Sequence, residues 1–142
     1  MELLHTVLVL DAADLDAESR FWAHVLGGRV IREETWHSVI DAEGNWRLGI
    51  QLAPNHVAPS WPSGNQQQQV HLDLHAVDFT SAHDEVVALG ARVLQAADDL
   101  GAEEGFQVYA DPAGHPFCIG WGHPSAEQLA RFLAGHVDGS AD

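Results

Sequence analysis

The sequence predicts an α+β fold built from two copies of a βαβββ unit, and three observations carry that reading. Strand-length apolar runs and one helical periodicity follow the order strand, helix, strand, strand, strand in the first half, and the order begins again at Val70. The stretches "VLGGRVI" at 25–31 and "ALGARVL" at 88–94 match in register, as expected for a duplicated module. The last strand pair closes on Asp111-Pro112-Ala113-Gly114, a tight turn with proline in its second position and glycine where β-branched residues are disfavoured.

In chain order, Leu3 to Leu10 is an apolar run of strand length. Asp14 then caps a helix with Leu15, Phe21, Trp22, Val25 and Leu26 on one side, and Gly27-Gly28 ends it. Strands follow over Arg29 to Arg32, Trp36 to Ala42 and Trp46 to Ala53, the last two joined at Glu43-Gly44-Asn45. Residues 54–69, "PNHVAPSWPSGNQQQQ", carry three prolines and four consecutive glutamines and read as a linker, because such a stretch cannot pair continuously in a sheet. The second module opens with "VHLDLHAV", continues with a helix after Asp78 bearing Ala82, Val86 and Leu89, and passes Gly90 into "ARVLQ". Its closing hairpin is "YADPAGHPFCIGW". One domain over 3–121 follows, with modules at about 3–53 and 70–121. A Ser125/Gln128 capping box with Leu129, Phe132 and Leu133 at helical spacing predicts a C-terminal helix over 124–136.

The chain of 142 residues has 6 Lys+Arg against 21 Asp+Glu, a formal net charge of -15. That balance disfavours nucleic acid and anionic membranes as partners and favours cationic ligands, besides keeping the surface solvated. A single cysteine excludes an internal disulfide, and the first residues lack the basic start and apolar run of a signal peptide, so a cytoplasmic protein is expected. No window reaches the roughly 18 apolar residues of a membrane span. No phosphate-cradling glycine loop, G-x-S-x-G elbow or CxxC is present.

Period-two alternation assigns faces. Val70, Leu72 and Leu74 take the helix side of their strand and leave His71, Asp73 and His75 opposite. Trp46, Leu48, Ile50 and Leu52 likewise leave Arg47, Gly49 and Gln51, while Phe117 and Ile119 leave Cys118. Core packing accounts for Trp22 and Trp46. Trp36, Trp61 and Trp121 remain candidates for stacking on a planar or cationic ligand, worth roughly 0.5 to 2 kcal/mol each, with Trp61 placed in the linker as a lid. His24 and His83 on the helices and His115 in the turn read as surface residues.

Two βαβββ modules together with "RFWAHVLGG", "VHLDL" and "YADPAGHPF" resemble the vicinal oxygen chelate superfamily, which contains glyoxalase I, bleomycin-resistance proteins, fosfomycin-modifying enzymes and extradiol dioxygenases. The resemblance spans about residues 3–121 and is nearest to the small glyoxalase-like proteins. It implies sheets curved into a cup, with helices outside and the ligand inside. The open sheet edge and cup mouth left by one module imply a homodimer. Enzymes of the superfamily hold a divalent metal with one side chain from the first and one from the last strand of each module. Carried over by motif, Gln51 in "IQLAPN", His71 in "VHLDL" and Cys118 in "DPAGHPFC" take three of these places. Cys118 stands where glutamate is usual, a soft ligand that favours zinc. His5 reaches the fourth place only through a two-residue bulge at Ala12-Ala13.

The same residues also read as a metal-free polar pocket, with Cys118 a small buried hydrophobe and His71 hydrogen-bonded to Asp73, His75 or Gln51. His71-x-Asp73 matches two facial ligands of non-haem iron oxygenases as well, but those use an all-β barrel. Two functions follow. One is binding of a small aromatic or cationic molecule by Trp36, Gln51, Trp61, His71, Asp73, His75 and Trp121. The other is a metal-dependent lyase, isomerase or oxygenase acting on a substrate that chelates through vicinal oxygens, with Asp73 or His75 as base. A third reading is an interaction module with a vestigial pocket.

Overall fold

The structure, a computed structural model, describes residues 1–122 and the single helical positions Glu127, Ala130 and Ala134. The rest of the predicted helix over 124–136 lies outside the described residues. The elements are β1 (Leu8–Ala12), α1 (Leu15–Val25), β2 (Arg29–Arg32), β3 (Trp36–Ile40) and β4 (Trp46–Leu52), followed by β5 (Leu72–His75), α2 (Phe79–Ala88), β6 (Arg92–Gln95), β7 (Gly105–Ala110) and β8 (Pro116–Trp121). They form two four-stranded sheets of identical topology, β1-β4-β3-β2 and β5-β8-β7-β6. In each, the first strand runs parallel to the last and the remaining pairs are antiparallel. The predicted pair of βαβββ modules is the observed architecture.

The helix starts are set as the sequence predicts. Asp14 accepts from the Ala17 amide at 2.9 Å and Asp78 from the Ser81 amide at 3.0 Å, each satisfying an amide that the first helical turn leaves unpaired. At the far end of α1 the Gly28 amide donates to the Ala23 carbonyl at 2.7 Å. Here the backbone runs against β3, so that a Cβ on Gly28 would fall onto the Ile40 carbonyl oxygen. Because the obstacle is backbone, Gly28→Ala is expected to destabilise the fold by about 2 to 3 kcal/mol in urea denaturation.

One core joins the modules. Val39, Leu48 and Ile50 of the first sheet, Phe21 and Trp22 of α1, and Tyr109, Phe117 and Ile119 of the second sheet belong to a single buried cluster. The Phe21 and Trp22 rings meet Phe117 edge-on at 5.7 and 5.3 Å. Because α1 packs on its own sheet with the rest of its apolar stripe, it lies between the helix-facing sides of both sheets. The outer faces of both sheets therefore look away from α1. Among the described residues neither β1 nor β5 has a second strand neighbour, so each sheet ends there in an open edge.

Both opening strands are shorter than their apolar runs. Leu3, Leu4 and Val70 are 66%, 95% and 61% exposed. β1 is limited to the five residues that Leu48–Leu52 can pair, and β5 to the four opposite Phe117–Gly120. Val70 thus does not pack under a helix.

Candidate functional site

The outer face of the first sheet is an aromatic corner with polar groups beside it. Trp36 stands opposite Gln51, which also has Asp11 of β1 across from it, and Ser38 stands opposite Gly49. The Trp36 indole N–H donates to the Ser38 hydroxyl at 3.0 Å. Its six-membered ring lies over Gly49, where any Cβ would strike Cζ2 and Cη2. Trp46 joins it, contrary to the helix-side place that strict alternation predicts. A register shift between Val39 and Ile40 sets Ile40 opposite Trp46, which leaves Arg47 as an extra residue and turns Trp46 to the other face. Trp46 meets Trp36 edge-on at 6.2 Å and 81°, contacts His5 at 5.2 Å, and donates to the Leu48 carbonyl at 2.9 Å.

The outer face of the second sheet carries Cys118, flanked by Asp73 of β5 and Val108 of β7, with His75 and Phe106 opposite Gly120. Phe117 and Ile119 on either side of Cys118 point into the core, as alternation predicts. Cys118 is free and buried; burial and then the Asp73 charge push its thiol pKa up, so thiolate is disfavoured there. Trp121 lies on the helix side instead. It shares the face of Phe117 and Ile119, packs on Phe79 of α2 at 4.6 Å and over Gly105, and donates to the Ala102 carbonyl at 3.0 Å.

A third cluster sits where the modules meet. Glu18 of α1 is fully buried, as is Asp111 at the start of the β7–β8 turn, and the side chain of His115 is 15% exposed. The Trp22 indole N–H bridges Glu18 Oε1 at 2.9 Å and Asp111 Oδ2 at 3.1 Å. The Ala113 amide donates to Glu18 Oε2 at 3.0 Å and the His115 amide to Asp111 Oδ1 at 2.8 Å. His115 Nδ1 lies 3.0 Å from Asp111 Oδ2 and 3.3 Å from Glu18 Oε1. Burial, reinforced by Asp111, raises the Glu18 pKa to about 7 despite His115. Burial opposes protonation of His115, yet hydrogen bonds to Asp111 and Glu18 outweigh it and raise its pKa to about 10. Burial also pushes Asp111 upward, but bonds with His115 and Glu18 hold its carboxyl below the ordinary range. At neutral pH this is an imidazolium–carboxylate pair beside a carboxyl close to its own pKa.

The model of the glyoxalase-like domain family matches residues 7–120. The chain belongs to that family. No curated protein matches it significantly. Its fold is similar to a glyoxalase/bleomycin resistance protein/dioxygenase family enzyme from Burkholderia phytofirmans PsJN, with TM-score 0.57 and 20% identity over 82% of this chain and 97% of that one. It is also similar to the fosfomycin resistance protein FosX from Listeria monocytogenes, with TM-score 0.61 and 14% identity over 90% of this chain and 98% of the other. FosX from Mesorhizobium loti gives TM-score 0.60 at 16% identity, over 91% and 98% of the two chains. At these identities the likeness concerns the fold alone.

Within one chain of this glyoxalase-like protein, the residues carried over as metal ligands are spread out. His5 lies before β1 against Trp46, Gln51 is on the first outer face, Cys118 is on the second, and His71 is exposed just before β5. Among the described residues, the three His, Cys, Asp or Glu side chains whose ligand atoms all fall within 4.8 Å of one another are Glu18, Asp111 and His115. All four of their carboxylate oxygens already accept a protein donor, so the cluster works as a joint between modules. The carried-over set is thus divided between the two sheets of one chain.

Two placements, those of His115 and His83, differ from sequence-based expectation. His115 is drawn inward by Glu18 of the other module. His83 is half-buried, with Nδ1 2.8 Å from the Tyr109 hydroxyl, while His24 is exposed and pairs with Glu85 at 3.0 Å. Trp61 lies in the connection between modules with its indole nitrogen buried and unpartnered among the described residues. That connection is tied to the joint: His56 Nε2 is 3.1 Å from the Ala113 carbonyl, and its ring is 4.9 Å from that of His115.

Proposed function

We propose that this glyoxalase-like protein binds a planar small molecule on the outer face of the first sheet, in a site completed by the second sheet of another copy of the chain. The Trp36/Trp46 corner beside Gln51 and Asp11 carries the reading: two perpendicular indoles offer one face and one edge to a flat ligand, and the neighbouring amide and carboxylate orient it. The need for a second copy follows from outer faces that both look away from α1 and from the open edges of β1 and β5, which a two-fold partner covers. His71, Asp73, His75 and Cys118 of that partner then form the far wall, and Trp61 contributes from the connection. Trp121 has no part in it, being packed on α2.

The net charge of -15, together with Asp11 and Asp73 on these faces, favours a cationic ligand over an anionic one. Calorimetric titration with a matched cationic and anionic aromatic pair tests this. Tighter binding of the cation, weakening with salt, is expected, and Trp36→Ala is expected to cost about tenfold in affinity. Equal affinity for the pair would remove the electrostatic part of the reading, and no effect of Trp36→Ala would remove the site.

A second reading, a metal-dependent lyase, isomerase or oxygenase, draws on the alignment of Asp73 with Cys118 and on a FosX structure solved with Mn(II) among the similar folds. Under it, Asp73 or His75 would serve as base, and a divalent ion, zinc being the most compatible with Cys and His, would polarise the substrate oxygens. Metal analysis of purified protein separates the two. Stoichiometric metal, lost in Cys118→Ala, supports the enzyme, and metal below one-tenth equivalent, roughly, supports binding alone.

A further inference from the structure

The chain has six arginines and no lysine. Three of them, Arg20, Arg29 and Arg32, line one groove of about 680 Å³ where α1, β2 and the end of α2 meet. In a protein with net charge -15 this concavity is a local concentration of arginine, on the helix side of the first sheet and away from the outer face described above. The groove also has apolar surface from Phe21, Val30 and Leu89.

The cations are not equally committed. Arg32 Nε is bonded to Asp16 at 3.0 Å, and this bond, with the nearby charge of Arg20 assisting, holds the Asp16 carboxyl below its ordinary range. His24 at the rim is taken by Glu85. The guanidinium groups of Arg20 and Arg29 make no hydrogen bond or ion pair among the described residues. Arg29 stands opposite Ile40, and hence on the outer side of β2, so Arg20 and Arg32 are the two guanidinium groups beside the apolar surface, Arg32 already holding Asp16.

We propose that this groove is an anion site for a small molecule with an apolar body and a phosphate or carboxylate head, held by Arg20 and Arg32, with Asp16 as the internal competitor for the same charge. Guanidinium suits this role because its donors match two oxygens of a carboxylate or phosphate at once, and it keeps its charge at any physiological pH. The apolar body lies against Phe21, Val30 and Leu89, which adds affinity that inorganic phosphate alone cannot gain.

Calorimetry on the full chain with phenyl phosphate, benzoate and inorganic phosphate tests the proposal at low salt. Phenyl phosphate is expected to bind more tightly than inorganic phosphate, and benzoate shows whether a carboxylate head suffices. Arg20→Gln and Arg32→Gln are each expected to weaken phenyl phosphate about fivefold, as for exposed charge pairs, and Asp16→Asn, which frees Arg32, is expected to tighten it by about threefold. The opposite signs matter, because a merely structural role for these side chains moves thermal stability without raising affinity in Asp16→Asn. Both arginines are exposed, so their variants are expected to keep the wild-type melting profile. No saturable binding of phenyl phosphate up to about 10 mM would overturn the proposal, since affinity weaker than that falls below about 3 kcal/mol. Affinity unchanged in the arginine variants, or lowered in Asp16→Asn, would overturn it equally.

Discussion

Trp22→Phe is expected to lower unfolding free energy by about 4 kcal/mol in urea denaturation, although it keeps an aromatic ring in place. The ring is almost fully buried between Phe21 and Phe117, so loss of the second ring opens a small cavity. The larger share comes from the indole N–H. It is one proton donor bridging two buried carboxyls, Glu18 and Asp111, and phenylalanine leaves both short of a partner in a site that water does not reach. An unsatisfied buried acceptor costs about 1 to 3 kcal/mol, more when charged. Trp22→Phe together with Glu18→Gln is expected to recover part of the loss, because an amide at position 18 removes the carboxyl that most needs a donor. A loss below about 1 kcal/mol in the single variant would show that the joint does not hold the modules together.

Stability is expected to fall as pH rises from 6.5 toward 10, by roughly 4 kcal/mol, with His115 responsible for most of it. The His115 pKa is raised from an ordinary 6.5 to about 10 in the fold. The folded protein therefore holds a proton that the unfolded chain has released; the stabilisation is complete below pH 6.5 and is lost as pH climbs through 10. Glu18, raised from 4.5 to about 7, acts in the same direction at lower pH, since ionisation in the unfolded chain precedes ionisation in the fold. Asp111 acts oppositely: its depressed value contributes stability above the ordinary carboxylate range that is lost in acid. A maximum in weakly acidic solution follows. Melting temperatures across this range in wild type and His115→Gln test the assignment. The decline between pH 7 and 10 is expected to flatten in the variant, and an equal slope in both would assign it to other groups.

The repeat, the caps and the inward apolar residues were legible because each depends on spacing within one element. Asp14 and Asp78 precede equivalent helices, and Phe117 and Ile119 alternate with Cys118 as a strand requires. Strict alternation misplaces Trp46 because the irregularity at Val39/Ile40 inserts one residue, and a single insertion reverses the face of everything beyond it. The joint was harder, since Ala113 reaches Glu18 across 95 residues and no local pattern links the turn of one module to the helix of the other. One signal was present. Glu18 falls at helical spacing between Leu15 and Trp22 on the apolar stripe, where a carboxylate requires buried partners.

A ligand site shared between two copies of the chain is tested by mixing two variants, each weakened at one wall of the site. Trp36→Ala removes the corner on the first sheet, and Asp73→Asn removes the charge on the second. Exchanged at equal concentration and titrated by calorimetry with the cationic aromatic probe, they are expected to show wild-type affinity at about a quarter of the sites, since random two-fold pairing makes half the dimers mixed and each mixed dimer has one intact site of two. No recovery after exchange, or a monomer in light scattering at micromolar concentration, would contradict a shared site.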